Sequence, residues 1–506
     1  MGSSLDFVKP ILHLLPEVSP PSRPTNLAEK LMWTGIALVF FFTMYHIMAA
    51  GVKPSVGGSD FLQVVTASRV GSLITVGIGP IVLASIFLQL FAGAKILQID
   101  MSDPEQKKTF QGAQKLLAIL LCFFEAAVFV IFARVELVPL FSALGEGYVQ
   151  SGDAAVLSAP YTMALVILQI AMGSLVLLYL DEVVSKYGIG SGISLFIAAG
   201  VSMSIVGGTF ALFTQQGGVF ESLSSGSADA LSNAILALLP LLFTVLVFLV
   251  VAYAEGLKVE IPLAFDRARG FGSRFPIKLL YVSNIPVILA SALLLNVQFF
   301  AISMQGQHLC IGGTYDETSP ALTKCGGGFD VVQAVAFVDS GRQVRDGFFY
   351  LISPIYRPLQ GSYGAYFDNL MNSKSPIFGI PGWVHVLVYV IFNMLLCIVF
   401  GQFWVETTGM GAKEVAEQLD KAGLQIPGFR RDPRVVEKKL NDYIPYIVII
   451  GSAFVGLLAA LADMTGALGT GTGILLSVGI IFKFYQDLEN QHLFDSYSSL
   501  GGLMGK

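Results

Sequence analysis

The side chains that enzymes and metal sites use most often do not form a recognisable constellation in this chain. Its five histidines are scattered along the sequence, at His13, His46, His308, His385 and His492. The GxSxG, HExxH and Walker patterns, which place catalytic or phosphate-binding groups, are absent. The four cysteines form no CxxC pair and no Cys/His cluster with metal-ligand spacing. These residues argue against an enzyme and indicate neither a metal nor a cofactor.

Ionisable residues within apolar stretches are few. Glu125 lies well inside such a stretch, whereas Asp181, Glu182 and Asp463 lie at the ends of others. A charged group inside a membrane is costly and is usually functional. A proton-coupled or ion-coupled transporter is expected to place several such groups near the midplane, so their scarcity counts against that class.

The segments that hold these residues are apolar enough to cross a membrane. Of 506 residues, 54% are hydrophobic and 13% are charged, against about 25% charged in a typical soluble domain. A helix needs about 20 apolar residues to cross a bilayer. Six uninterrupted stretches lie near 31–50, 114–133, 159–180, 233–254, 383–404 and 443–463, and four stretches interrupted by Gly, Pro or polar residues lie near 71–96, 189–213, 277–300 and 468–486. The sequence predicts an all-α polytopic membrane protein with about ten transmembrane helices.

The four interrupted stretches are the candidates for a functional centre. Broken helices are tolerated in a membrane only where protein or a water-filled cavity covers the freed backbone groups, so we expect them in the interior. Apolar side chains beside their glycines could form a constriction that excludes water, or could serve only in helix packing. These candidates are Ile78, Val82, Ile193, Ile197, Ile288 and Leu476.

The two halves of the chain resemble each other. PIVLAS at 80–85 resembles PVILAS at 286–291, and GSGI at 190–193 resembles GTGI at 471–474. The first match relates the second span to the seventh, and the second match relates the fifth span to the tenth. Because five is an odd number of crossings, this order predicts two inverted five-helix halves.

Basic residues predict the orientation, since positively charged short loops stay in the cytoplasm. With both termini inside, 22 of the 30 Lys and Arg residues fall on the cytoplasmic side. The first 23 residues lack the pattern of a cleaved signal peptide, so we expect the first span to remain as an anchor. The predicted division is 1–213, an external hinge loop at 214–232, and 233–506, with an external loop at 301–382 and cytoplasmic loops at 255–278 and 405–442.

Three features of the loops can each be interpreted in two ways. After GGSD at 57–60, Ser59 or Asp60 could cap a helix of eight to ten residues, which would be a surface connector or a re-entrant stopper because it is too short to cross. Cys310 and Cys325 share the external loop, where they could form a disulfide or remain buried thiols. The arginines of the cytoplasmic loops could serve topology alone or dock an RNA-rich partner through its phosphates.

The sequence resembles the SecY family, the α-subunit of the Sec protein-conducting channel, and most of all its archaeal members. The resemblance extends nearly from end to end, apart from 214–232 and 301–382. It is carried by TASR at 66–69, GIGPIV at 77–82, FQGAQKL at 110–116, DEVVSKYGIGSG at 181–192, YVSNIPVIL at 281–289, FWVETTG at 403–409 and GALG at 466–469.

The resemblance implies an hourglass channel that hinges between the fifth and sixth helices and opens sideways between helices two/three and seven/eight. By position, the family's pore ring falls on the six apolar candidates given above. The family's plug matches the segment around 58–69, with Asp60, Phe61, Leu62, Val64 and Val65. Two polar positions of the lateral gate match Glu125 and Asn284, while the third, often a hydroxyl residue, is Leu83.

The partners that the resemblance implies are two small membrane subunits (SecE-type γ and β), the ribosome, the signal recognition particle receptor, signal-bearing nascent polypeptides and membrane lipid. Ribosome docking would use Arg267, Arg269 and Arg430, together with Lys107 where related proteins often carry Arg. The predicted function is passive conduction of polypeptides with sideways release of transmembrane segments. The alternatives are a secondary transporter with inverted repeats, which would depend on a charge such as Glu125, and a scaffold without conduction.

Overall fold

The computed structural model consists mainly of long helices joined by loops that carry small sheets. It describes residues 10, 15–23, 25–53, 67–93, 96–97, 104–131, 137–141, 147–151, 154–214, 218–224, 230–265, 272–282, 285–304, 309–311, 329–339, 344–355, 363–421, 424–425 and 433–504.

Ten apolar helices lie in these ranges, in the order that the sequence predicts. They are α1 (Leu27–His46), α2 (Gly79–Gly93), α3 (Pro104–Ile131), α4 (Pro160–Tyr187), α5 (Gly192–Thr214), α6 (Ala230–Gly256), α7 (Ile285–Ser303), α8 (Gly382–Thr408), α9 (Ile444–Met464) and α10 (Gly471–Met504). Eight are long and apolar enough to span a bilayer, while the apolar parts of α2 and α10 are shorter, Gly79–Ala92 and Gly471–Gln486. The stretch predicted at 71–96 is thus helical only from Gly79, after a buried, irregular approach.

Four helix contacts recur at equivalent places in the two halves. In the first half, α2 packs on α3, α3 on α4, α4 on α5 and α1 on α5. In the second half, α7 packs on α8, α8 on α9, α9 on α10 and α6 on α10. Between the halves, α2 contacts α7 and α8, and α10 contacts α5. This repeated order is what two related five-helix units would produce.

The loops contain strands that the prediction of an all-α protein omits. Antiparallel pairs join Gly147–Ser151 to Ala154–Ser158, Cys310–Ile311 to Phe329–Asp330, and Phe337–Val338 to Val344–Asp346, and a three-stranded sheet contains Lys258–Phe265, Gly272–Lys278 and Leu424–Gln425. Short helices lie at Val219–Ser224, Val331–Val335, Phe348–Ile352, Tyr363–Asn372, Ala412–Lys421 and Pro433–Asn441. The length of the apolar stretches identified the long helices, but such short elements depend on pairing with distant residues.

The segment before α1 is fastened to α3 and α4. Lys115 Nζ of α3 donates to Pro16 O at 2.6 Å and to Glu182 Oε2 of α4 at 2.8 Å. Lys186 Nζ donates to Val18 O and to Glu182 Oε1, the latter at 2.9 Å. These bonds join the end of α4 to α3 and to the segment before α1.

Candidate functional site

The six predicted ring residues all belong to, or pack against, the main apolar cluster of the protein. Ile78, Val82, Ile197 and Leu476 are buried in a single apolar cluster, and the half-buried Ile193 and Ile288 pack against that cluster. They come from α5, α7, α10, the first turn of α2 and the residue directly before α2, and the sequence marks all four of these helices as interrupted. The structure therefore brings these side chains into one continuous apolar zone.

Local backbone geometry places Ile78 and Val82 at the start of α2. Gly77 has a φ of +61°, a conformation that glycine adopts without steric cost. The Val82 and Ile81 amides then both donate to Ile78 O at 3.1 Å. Pro80 occupies the first turn of the helix, where its missing N–H costs nothing. The glycine-proline pattern thus explains why α2 begins here.

The helices α5 and α10 both begin at an aspartate from the preceding helix. Asp181 Oδ1, near the end of α4, accepts hydrogen bonds from Ile193 N at 2.9 Å and from Ser191 Oγ at 3.4 Å. Asp463, at the end of α9, accepts from Thr472 N at 2.9 Å and from Thr472 Oγ1 at 2.7 Å. Sequence reasoning placed both aspartates at helix ends and gave them no role. The repeated GSGI and GTGI segments were the signal that could have identified them.

The predicted gate residues are only partly described. Leu83 of α2 is buried, and α2 packs against both α7 and α8 of the other half. Glu125 of α3 is also buried, and its Oε1 has no hydrogen-bond partner within the described ranges. Asn284, the predicted facing residue, lies outside the described residues. The seam between α2 and α7/α8 is therefore present, while the polar cluster across it stays a prediction.

The two loops predicted to be cytoplasmic are joined into one unit by the three-stranded sheet. Ala264 and Phe265 of the first loop pair with Gln425 and Leu424 of the second. Lys107 is exposed on α3. The predicted docking residues that lie outside the described residues are Arg267, Arg269 and Arg430. The sequence suggested two separate basic loops, because strand pairing between distant segments leaves no local pattern.

The same sheet is attached to α10. Lys278 Nζ, at the end of the second strand, donates to Gln486 Oε1 at 3.1 Å and lies 5.1 Å from the centroid of the Phe482 ring. Lys278 also lies close enough to Glu255, at the end of α6, to interact with it electrostatically. This basic residue therefore connects the loop sheet with α6 and α10.

The residues on either side of the predicted plug form a paired stem. Ala49 N donates to Gly71 O at 2.9 Å, and Leu73 N donates to Ile47 O at 3.0 Å. Ala67, which is fully buried, belongs to the apolar cluster that contains the ring candidates. Outside the described residues lie the plug residues themselves, Asp60, Phe61, Leu62, Val64 and Val65.

The external loop holds one of the two cysteines predicted to pair. Cys310 begins a short strand and is disulfide-bonded, while Cys325 lies outside the described residues, so their pairing stays a prediction. Nearby, the fully buried Asp346 accepts from Ile377 N at 2.5 Å and from Phe378 N at 2.9 Å. Hydrogen bonds between distant residues thus give this loop an ordered structure that hydropathy did not reveal.

Comparison with known proteins identifies the family. The SecY family profile matches residues 72–485. The protein translocase subunit SecY of Methanocaldococcus jannaschii is 40% identical to this chain over 500 residues, which cover 98% of this chain and 99% of the relative. A solved protein-conducting channel is 38% identical with a TM-score of 0.73, covering 96% of this chain and 97% of the other.

A second similar solved structure contains a ribosome bound to its channel. It is Sec61 in a canine ribosome-channel complex from the endoplasmic reticulum, 38% identical with a TM-score of 0.70, again covering 96% of this chain and 97% of the other. The predicted resemblance, the predicted fold of about ten membrane helices and the predicted function are confirmed by these matches, which give no support to the small-solute transporter. This chain belongs to the SecY family and is a pore subunit of a protein-conducting channel.

Proposed function

We propose that Ile78, Val82, Ile193, Ile197, Ile288 and Leu476 form the constriction through which this channel conducts polypeptides. The observation that carries this proposal is their convergence on one buried cluster from four different helices. An apolar ring offers no hydrogen bond to a passing chain and disfavours water when no chain is present. Such a ring conducts passively, because a ribosome or another motor supplies the driving force.

When no polypeptide is passing, the segment around 58–69 closes the channel as a plug. Its described end supports this assignment, because Ala67 lies in the same apolar cluster as the ring. A Cβ atom at Gly200 of α5 would lie only 3.1 Å from Ala67 Cα. The described end of the plug segment therefore packs directly on a helix that carries two ring residues.

Transmembrane segments leave sideways between α2/α3 and α7/α8. This proposal is supported by the contacts of α2 with α7 and α8 across the seam between the halves. The residues that line this gate are Glu125, Asn284 and Leu83, which are assigned from their positions in the sequence. An apolar segment gains about 0.8 kcal/mol for each CH₂ that it buries in lipid, so hydrophobicity is the property that the gate measures.

The docking surface for a ribosome is built from the two joined loops and α3. It contains Lys107, Arg267, Arg269 and Arg430, whose cationic groups match RNA phosphates without reading sequence. The relative seen in a ribosome-channel complex supports this partner. The signal recognition particle receptor binds on the same cytoplasmic side as the ribosome, where both termini also lie. The SecE-type and β subunits complete the complex in the cell membrane.

Reconstitution of the chain with its small subunits in vesicles tests the function. A signal-bearing polypeptide is expected to become resistant to external protease when a ribosome or motor is supplied, whereas the same polypeptide with two charges in its signal core stays sensitive. The matched control is a complex in which a disulfide closes the α2–α7 seam. If a correctly assembled complex never protects the signal-bearing polypeptide, the proposal fails.

A further inference from the structure

We propose that Asp181 and Asp463 are positioning residues that set the distance between the ring side chains of α5 and α10. The inference rests on the proposed function of the ring. Asp181 acts on Ile193 and Ile197, and Asp463 acts on Leu476, each through a helix N-terminus. Neither aspartate touches the passing polypeptide.

The hydrogen bonds act directly on the ring helices. The atom that Asp181 holds is the backbone nitrogen of Ile193, itself a ring residue, at 2.9 Å. In α10, Asp463 holds both the backbone nitrogen and the hydroxyl of Thr472, one helical turn before Leu476. The first N–H groups of a helix have no partner within the helix, and a carboxylate there also interacts favourably with the helix dipole. Around the buried Asp463, few other acceptors compete for these N–H groups.

Glycines allow the close approach that these bonds require. A Cβ atom at Gly192 would lie 2.5 Å from Asp181 Cα, and one at Gly471 would lie 2.1 Å from Ala462 Cβ and 2.5 Å from Asp463 N. Real Cβ atoms essentially never come so near other atoms. Any residue larger than glycine at 192 or 471 would therefore move the ring helix away from its aspartate. Both junctions are therefore built for contact at this distance.

Each junction also packs against the ring helix of the other half. A Cβ atom at Gly190, before α5, would lie 2.8 Å from Phe484 Cε1 of α10, and one at Gly469, before α10, would lie 2.9 Å from Ile205 Cγ1 of α5. Since α5 and α10 are in contact, displacement of one junction moves one side of the ring relative to the other.

The backbone before α10 is held in an unusual conformation. Thr470 has a φ of +60°, which is rare for a β-branched residue. Its Oγ1 accepts from Gly473 N at 3.1 Å, and the Asp463 bonds hold the next turn. Strained residues persist only where their surroundings determine them strongly, so the start of α10 is fixed at a defined place.

The test measures ion leakage through the idle reconstituted complex. Asp181→Leu, which removes the acceptor at similar size, is expected to raise leakage about tenfold, the factor that about 1.4 kcal/mol of lost closed-state stability produces. Asp181→Asn keeps an acceptor oxygen and is expected to stay sealed. The matched control is Glu182→Gln. It changes the neighbouring carboxylate, whose described ion pairs are with Lys115 and Lys186 and not with the start of α5.

A second readout separates positioning from general loosening. Cysteines introduced by Ile193→Cys or Ile288→Cys are labelled with a water-soluble thiol reagent, each in the Asp181→Leu background. Positioning predicts faster labelling at 193 and unchanged labelling at 288, whereas equal acceleration at both sites overturns the inference. Gly192→Ala, which keeps the carboxylate but displaces the helix, should reproduce the labelling pattern if Asp181→Leu does not assemble.

A ring variant distinguishes failure of this inference from failure of the proposed function. Ile78→Gly combined with Leu476→Gly enlarges the ring without touching either aspartate. Because the proposed plug also seals the idle channel, the double variant is measured in a complex that lacks residues 60–65. If it leaks no more than the complex that lacks these residues and keeps an intact ring, the ring assignment itself is wrong. If it leaks more while Asp181→Leu and Gly192→Ala both stay sealed, the ring stands and the positioning role is overturned.

Discussion

The beginnings of the interrupted helices differ in burial from the helix α6. No side chain is exposed in the first ten residues of α5 or of α10, or among the described residues 285–294 of α7. The helix α6 is continuous although Pro240 lies inside it, and it exposes large apolar residues along its length, including Leu231, Leu242 and Leu249. The second part of α5 behaves like α6, since Val206 and Phe210 are exposed.

This difference shows that the beginnings of the interrupted helices lie wholly in the interior, to which α9 also contributes buried residues along its length. Their irregular approaches leave backbone groups that lipid cannot satisfy, so protein must surround them. An uninterrupted helix satisfies its own backbone and can face lipid with most of its surface. The prediction that the four interrupted spans lie in the interior therefore applies to their first halves, and α5 turns outward after about three turns.

Removing side-chain volume should have the largest effect at the start of an interrupted helix. Leu475→Ala in α10, where Leu475 is 1% exposed, is expected to lower the free energy of unfolding by about 2–5 kcal/mol because it leaves a cavity. Leu249→Ala in α6, where Leu249 is 58% exposed, should change it by less than about 0.5 kcal/mol. Thermal unfolding of the detergent-solubilised complex measures both, and equal losses would remove the distinction between the helices.

The second-largest loss of stability is expected where a substitution adds volume at a close contact. Gly173→Ala in α4 would place a Cβ atom 1.9 Å from Leu73 O in the approach to α2, so we expect a loss of about 3 kcal/mol from overpacking against backbone. The control is Gly207→Ala in the outward half of α5, where nothing lies within 4 Å of the added atom. The same unfolding measurement applies, and a stable Gly173→Ala variant would contradict the close approach of α4 to this segment.

A smaller effect is expected where two uninterrupted helices are joined by a side-chain hydrogen bond. Asn393 Nδ2 of α8 donates to Gly456 O of α9 at 2.9 Å. Asn393→Leu should cost about 0.5–1.5 kcal/mol, the range for hydrogen bonds between membrane helices. A loss as large as that for Leu475→Ala would show that uninterrupted helices depend on single contacts as strongly as interrupted ones do.

The smallest effect is expected in the outward half of α5. Phe210, which is 70% exposed, faces away from the cluster that holds the ring. Phe210→Ala should leave the unfolding temperature of the isolated chain unchanged within about 2 °C. A marked loss in the isolated chain would mean that the whole of α5, and not its first ten residues alone, belongs to the interior.

The sequence by itself determined the ten helices, because the thickness of a bilayer demands about 20 apolar residues for each crossing. It also identified Ile78, Ile193, Ile288 and the other ring candidates, since glycine and proline mark where a membrane helix is interrupted. Small repeated segments such as GSGI and GTGI revealed the relation between the halves. Each of these properties depends on residues close together in the chain.

Only the tertiary structure decided how distant residues meet. The contact of Asp181 with Ile193 N spans a helix junction, the pairing of Phe265 with Leu424 joins two loops, and Lys278 reaches α10. Hydropathy describes which segments enter the membrane, but it contains no information on which helix faces lipid. That choice depends on close packing and on where interrupted backbones find hydrogen-bond partners, and both are properties of the folded chain.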